Sequence, residues 1–298
     1  MADTQRLRRR PAPAAKGPAK PRVLPVTRPG RCAAVAGAGV FDQLTETDPF
    51  LSIDAFRRHG ASIPPHPHAG CAVAIYPLPD TGTALRSRNA HGGDDIVRPG
   101  DLLWLDANCG TVHEDVPVTR DAECRGLRLI VNRPGRHRAG PPSQCVVPRE
   151  HMPVWREGAV DLTLVCGRWQ ARQSLLEPSA ATSLLLLTWQ GDGALTLPLA
   201  ADGRRWFALI LDASAAIGGV ALTAGGEAEA LMLPSGQWQA TGRTGTRIAL
   251  VGGEPVNEPV VFRGNFAARN EGELVDVLRH YQQGAMGVMC MQGHDGTH

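Results

Sequence analysis

Apolar residues along this chain gather in short runs bounded by turn formers. "CAVAIYPL" (71–78), "DLLWLDA" (101–107) and "GLRLIVNRP" (126–134) are each of strand length, and "RCAAVAG" (31–37) reads the same way. Tight turns are supplied by "DTGT" (80–83) and "RPGD" (98–101). The rhythm pauses in a Pro-rich connector, "RPGRHRAGPPSQCVVP" (133–148). It resumes in "DLTLVCGRW", "SLLLLTW", "ALTLPLA", "RWFALILDA", "AEALMLP" and "TRIALVGGEP". Two sets of closely spaced strands with few helices predict an all-β chain. Its expected units are two tandem sandwiches or small barrels, residues 23–148 and 149–298.

One helix is predicted, over 271–283. In "NEGELVDVLRHYQQG", Leu274, Val277, Leu278 and Tyr281 recur at i, i+3, i+4 and i+7 and form one apolar face, expected to pack on a barrel. Asn270 is the expected N-cap, with Glu273 three residues on, and Gly284 can end the helix in a left-handed conformation.

Composition agrees with this picture and adds little else. The 298 residues are 43% apolar and 20% charged, and the 34 glycines and 24 prolines suit short strands and turns. Charge is more informative, because the net +2 conceals an asymmetry. Residues 1–22, "MADTQRLRRRPAPAAKGPAKPR", carry seven basic residues and one acid, leaving the body at −4. With four prolines and almost no large apolar side chain, this segment reads as a disordered, solvated basic tail. A weak nucleic-acid contact is the most its charge suggests. Its charges are followed by Pro and Ala instead of the apolar stretch of a signal peptide, and no run of about 18 apolar residues offers a membrane span. Seven cysteines without a C-x-x-C pair point to a reducing, cytoplasmic setting.

The candidate chemistry begins at "HPHAG" (66–70). Ten histidines in 298 residues give roughly 0.3 H-x-H pairs by chance, so the motif alone decides nothing. A lone histidine is more often a surface or hydrogen-bonded core residue. Two residues apart on a strand, however, His66 and His68 point to the same face. "GTVHEDVP" repeats the spacing with His113 and Asp115, while "RPGD" and "LLWL" return the chain toward the first pair. Three imidazoles and a carboxylate suit one mononuclear Fe(II), Mn(II), Ni(II) or Cu(II) with positions left open. Structural zinc fits less well, because no thiolate cluster exists. His59, His91, His137 and His151 fall in loop-like sequence, and Glu114 is one residue off the inward face. Between His151 and His280 there is no histidine, so the second strand set is expected to hold no imidazole-bound metal.

These segments resemble a known family. "DPFLSIDAFRRHGASIPPHPHAG" (48–70), "RPGDLLWLDANCGTVHEDVP" (98–117) and "LVGGEPVNEPVVFRGNFAARNEGELVDVL" (250–278) are similar to the three signature blocks of the pirins, iron-binding proteins with two cupin barrels. The resemblance implies tandem cupin (double-stranded β-helix, or jelly-roll) barrels with a C-terminal helix. It places one metal, iron(II) first among the candidates, in the N-terminal cupin on His66, His68, His113 and Asp115. Departures lie around that site. Asp115 stands where the family has Glu, Cys71 and Ala72 where a Phe–Glu pair is common, and "SRNA" (87–90) where His-Arg-Asp-Ser is usual. Two functions follow from the resemblance. One is quercetin 2,3-dioxygenase-like chemistry on a small aromatic, flavonol-like substrate, with Asp115 also able to accept a substrate hydroxyl proton. The other is a non-catalytic regulator in which the metal's redox state alters a surface that binds a protein partner.

Overall fold

The computed structural model describes residues 20–25, 44–59, 63–178, 181–224 and 229–289. Most of the basic tail, the "RCAAVAG" run, Cys32 and Cys290 lie outside the described residues. Strand β1 (Arg22–Pro25) is followed by a one-turn helix, α1 (Leu44–Thr47), and then by nine strands in close succession. These are β2 (Phe50–His59), β3 (Ile63–His68), β4 (Cys71–Pro77), β5 (Leu85–Asn89), β6 (Asp94–Val97), β7 (Leu102–Asp106), β8 (Thr111–Pro117), β9 (Glu123–Asn132) and β10 (Ser143–Val147). They form two facing antiparallel sheets, ordered β10-β7-β4-β9-β2 and β3-β8-β5-β6, which enclose the first barrel. The second barrel pairs a seven-stranded sheet, to which β1 contributes an edge, with a four-stranded one.

The strand set matches the predicted all-β architecture, and β4, β7 and β9 coincide with the apolar runs named above. Two termini depart from the simple division at residue 148. Arg22, assigned to the tail by composition, opens β1, and β1 pairs with Glu229–Leu233 in the second barrel's sheet. At the other end, helix α2 (Glu271–Gln282) packs on the first barrel through Leu274, alongside Ala69, Val112, Phe266 and Met286. The helix is one residue shorter than predicted, and Gln283 caps it. Asn270 caps the other end by accepting the Glu273 backbone N–H at 3.0 Å, and Gly284 takes the expected left-handed conformation (φ +74°).

One continuous apolar layer joins the barrels. Phe50, Ile53, Tyr76, Trp104 and Leu129 from the first meet Val165, Leu184, Phe207 and Val251 from the second, with Phe50 and Phe207 edge to face at 5.7 Å. At its rim, Arg125 donates to Asp212 at 2.8 Å and Arg247 to Asp80 at 2.8 Å, tying the two barrels by charge. No helix among the described residues is long and apolar enough to cross a membrane.

Candidate metal centre

The site is built on β3 and β8, and on the fact that β3 is an edge strand. Its sequence, "IPPHPH", lacks three backbone N–H groups, which a central strand would need for its ladder. At the edge they can be spared. His66 pairs directly with His113 and His68 with Thr111, so both histidines of β3 and the single one of β8 turn into the barrel. The three ring centroids lie 4.3 to 5.0 Å apart, and one ligand nitrogen from each comes within 4.8 Å of the other two. This is the one such cluster of three among the described residues.

Local contacts orient the rings. The His66 Nδ1–H donates to the Pro64 carbonyl at 2.9 Å, which leaves Nε2 as the lone-pair nitrogen. His68 Nδ1 lies 3.9 Å from the Cys71 thiol, and His68 Nε2 has no partner among the described residues. Neither nitrogen of His113 has a hydrogen-bond partner. His68 and His113 are 0% and 1% exposed, while His66 is half-buried and marks the open side of the cluster. Loss of hydration, reinforced by Arg128 nearby, holds His113 down at about pKa 3. Burial, then His113, brings His66 to about 3 and His68 well below its ordinary range. Three neutral imidazoles with unclaimed nitrogens are the form a transition metal takes. The residues fit the ion.

Asp115, expected as a fourth ligand, lies beside the three imidazoles. Its carboxylate is buried, 1% exposed, and reaches within 3.7 Å of His113 Nδ1, but it does not join the three imidazoles within the 4.8 Å cluster. Both oxygens lack hydrogen-bond partners. Burial raises its pKa, with His66 and the Ser87 hydroxyl opposing. Ser87 sits directly across β5–β8 from Asp115, though its hydroxyl makes no bond of ordinary geometry. Glu114, next along the strand, points to the other face and pairs with Arg88. His59 ends β2 and is not in a loop, and it meets Glu123 at 3.2 Å; His91 is exposed in a turn.

Sequence reasoning missed the opposite wall. On β9, Leu127 and Leu129 belong to the inter-barrel layer, so Arg128 between them points into the first barrel. On β2, Phe56 lies in that barrel's core, and Asp54 and Arg58 share its face. Arg128 faces Asp54 across the ladder at 3.5 Å, and the Arg58 guanidinium lies over the Phe56 ring at 4.7 Å. Alternating charges in "SIDAFRRH" look like a solvated face, and only the β3–β8 sheet in front of them shows otherwise.

Comparison with known proteins now bears on the chain. Residues 186–287 match the pirin C-terminal cupin domain. A Solanum lycopersicum pirin-like protein is 26% identical over 250 residues, spanning 82% of this chain and 84% of that one. The chain is similar to the pirins across both of its barrels. A Pseudomonas aeruginosa relative provisionally named quercetin 2,3-dioxygenase is 26% identical over 260 residues, 81% of this chain and 87% of its own. Among solved structures, a quercetin 2,3-dioxygenase from Acinetobacter baumannii superposes with a TM-score of 0.82 at 18% identity, covering 92% of this chain and 93% of that one. The Escherichia coli pirin YhhW, solved in complex with nickel(II), superposes at 0.60 with 13% identity, over 79% of this chain and 99% of its own. At such identities the two structures speak for the fold.

Proposed function

We propose that this pirin-like protein holds one divalent transition metal in its first barrel and acts as a quercetin 2,3-dioxygenase-like oxygenase on a small aromatic substrate of flavonol type. Iron(II) is the expected ion, and manganese, nickel or copper suit the same donors. The observation that carries the reading is the trio of neutral imidazoles, His66, His68 and His113, with ligand nitrogens gathered within 4.8 Å. When bound, the ion would supply a Lewis-acidic, redox-capable centre. The chain does the rest. The Pro64 carbonyl fixes the His66 tautomer, and burial keeps all three rings deprotonated. Asp115, whose affinity for a proton is raised by burial, is placed to take the hydroxyl proton of a substrate at its free carboxylate oxygens. It can also serve as a fourth ligand after a small adjustment.

A regulatory reading is supported by one feature outside the barrel. The backbone N–H of Val112, next to His113, donates to Met286 just beyond α2, and α2 exposes Val275, Leu278 and Tyr281. A change at His113 thus has a short route to an apolar surface suited to a protein partner. Metal analysis followed by oxygen-uptake assays with quercetin separates the two. Metal-dependent oxygen consumption supports the oxygenase. A metal-loaded protein that consumes none, yet gains or loses a partner with metal oxidation state, supports the regulator.

A further inference from the structure

The first barrel buries more cationic charge around the imidazoles than a neutral substrate needs. Arg58 and Arg128 are 8% and 4% exposed. Both point from the β2–β9 wall into the space that the three imidazoles and Asp115 face from β3 and β8. Arg128 is close enough for its charge to act on all three imidazoles and on Asp115, and Arg58 acts on Asp115 and repels Arg128.

Buried guanidiniums normally have their donors satisfied. Among the described residues the Nε–H of Arg58 and that of Arg128 have no acceptor. The Arg58 guanidinium lies over the Phe56 ring at 4.7 Å. Arg128 has a single long contact, to Asp54 at 3.5 Å. On the facing wall His68 Nε2 has no partner among the described residues either. Buried guanidinium N–H groups without acceptors call for one, and a carboxylate supplies two oxygens to them.

We propose that the chamber selects an anionic substrate, a small organic acid whose carboxylate is held by Arg58 and Arg128 while its body faces the His66–His68–His113 centre. The placement rests on the proposed metal site. The anion recognition does not require the ion, because the guanidiniums are present in the chain itself. A planar fork of N–H donors is well matched to the two oxygens of a carboxylate. The corresponding neutral amide offers one acceptor oxygen in place of two, which makes charge a basis for discrimination.

The test compares benzoate with benzamide, and formate with formamide, as probes of the full chain by calorimetry and thermal shift. Metal-free and zinc-loaded protein are both used, so that no redox chemistry intervenes. The acids should bind and raise Tm while the amides do not, and zinc should strengthen the acid. Arg128→Gln and Arg58→Gln should each weaken benzoate about tenfold or more, with Arg128→Lys retaining part of the affinity. Arg57→Gln, on the exposed face of β2, should change nothing. Equal binding of acid and amide, no binding of either acid, or full affinity in a folded Arg128→Gln overturns the proposal. If the variants fail to fold, the acid–amide comparison on the native chain still decides. The outcomes also separate this inference from the proposed function. Quercetin turnover without carboxylate binding sinks the anion site alone, and carboxylate binding without metal uptake sinks the metal centre alone.

Discussion

Asp115 stands opposite Ile63, one residue out of step with the pair formed by His66 and His113. The extra residue lies in the Pro64–Pro65 step of β3, a bulge that presents the Pro64 carbonyl to His66 while shifting the strand against β8. Aspartate in that position falls short of the three imidazoles. Glutamate would extend the carboxylate by about 1.5 Å, one C–C bond. Metal–oxygen bonds near 2.0 to 2.2 Å tolerate errors of only about 0.2 Å, so that reach matters. Asp115→Glu should therefore tighten metal binding, by about tenfold in competition with a chelator. Weaker binding than the native chain would mean that the strand has already adapted to aspartate.

The unequal exposure and bonding of the four residues predict unequal losses. His113 has both nitrogens free at the centre of the cluster, whereas Asp115 lies at its margin. The native chain should take up one metal ion, His113→Ala and His68→Ala should retain almost none, and Asp115→Ala should keep a measurable share. Elemental analysis after dialysis reads all four proteins. Two equivalents in the native chain, or a full equivalent in His68→Ala, would place the metal elsewhere.

Much of this was legible in the chain because apolar runs and paired spacing survive folding unchanged. β4, β7 and β9 are buried on both faces, so they read as continuous apolar runs. His66 and His68 were legible as same-face partners because strand geometry requires it. The rest of β3, with its three prolines, and β2, with Asp54, Arg57 and Arg58, were not. Their strand character comes from pairing with β9 and β8, a long-range fact. The same holds for Arg22, whose strand is completed by residues more than two hundred positions away. The shortfall of Asp115 depends on a one-residue bulge that no pattern of apolar positions records.

Acid should unfold the metal-free protein more steeply than its surface charges would. In the folded chain His66 and His113 stay neutral down to about pH 3 and His68 below its usual range, through burial above all. In the unfolded chain each protonates near pH 6.5. From 6.5 downward the unfolded state therefore binds more protons, and stability falls as pH falls, by about 1 kcal/mol per histidine per pH unit. Asp115, with its pKa raised by burial, acts in the opposite sense above 3.8 and offsets part of the loss. Urea melts between pH 7.5 and 4.5 should show this slope, and it should flatten in a His66→Gln, His68→Gln, His113→Gln triple variant. An unchanged slope would show that the imidazoles are solvated in the metal-free protein.

Gly70 follows β3 and abuts the C-terminal hairpin formed by Val261–Arg263 and Phe266–Ala268, and its substitution should disturb both. It adopts φ +72°, and a Cβ there would lie 2.0 Å from the Ala267 carbonyl oxygen. That oxygen cannot easily retreat, because the Ala267 N–H donates to Ala69 at 2.9 Å and the Gly70 N–H to Asn108 at 2.8 Å. His68 precedes Gly70 by two residues and Cys71, its thiol neighbour, follows it, so any shift of this turn moves the site. A left-handed alanine costs about 1 kcal/mol from conformation alone. Gly158→Ala isolates that contribution, since Gly158 has φ +59° and nothing within 4 Å of the added methyl. Gly158→Ala should lower Tm by about 2 °C and leave metal affinity intact. Gly70→Ala should cost several times more and weaken metal binding as well. If the two variants lose the same stability and both keep the metal, then the hairpin gives way freely and the turn does not position His68.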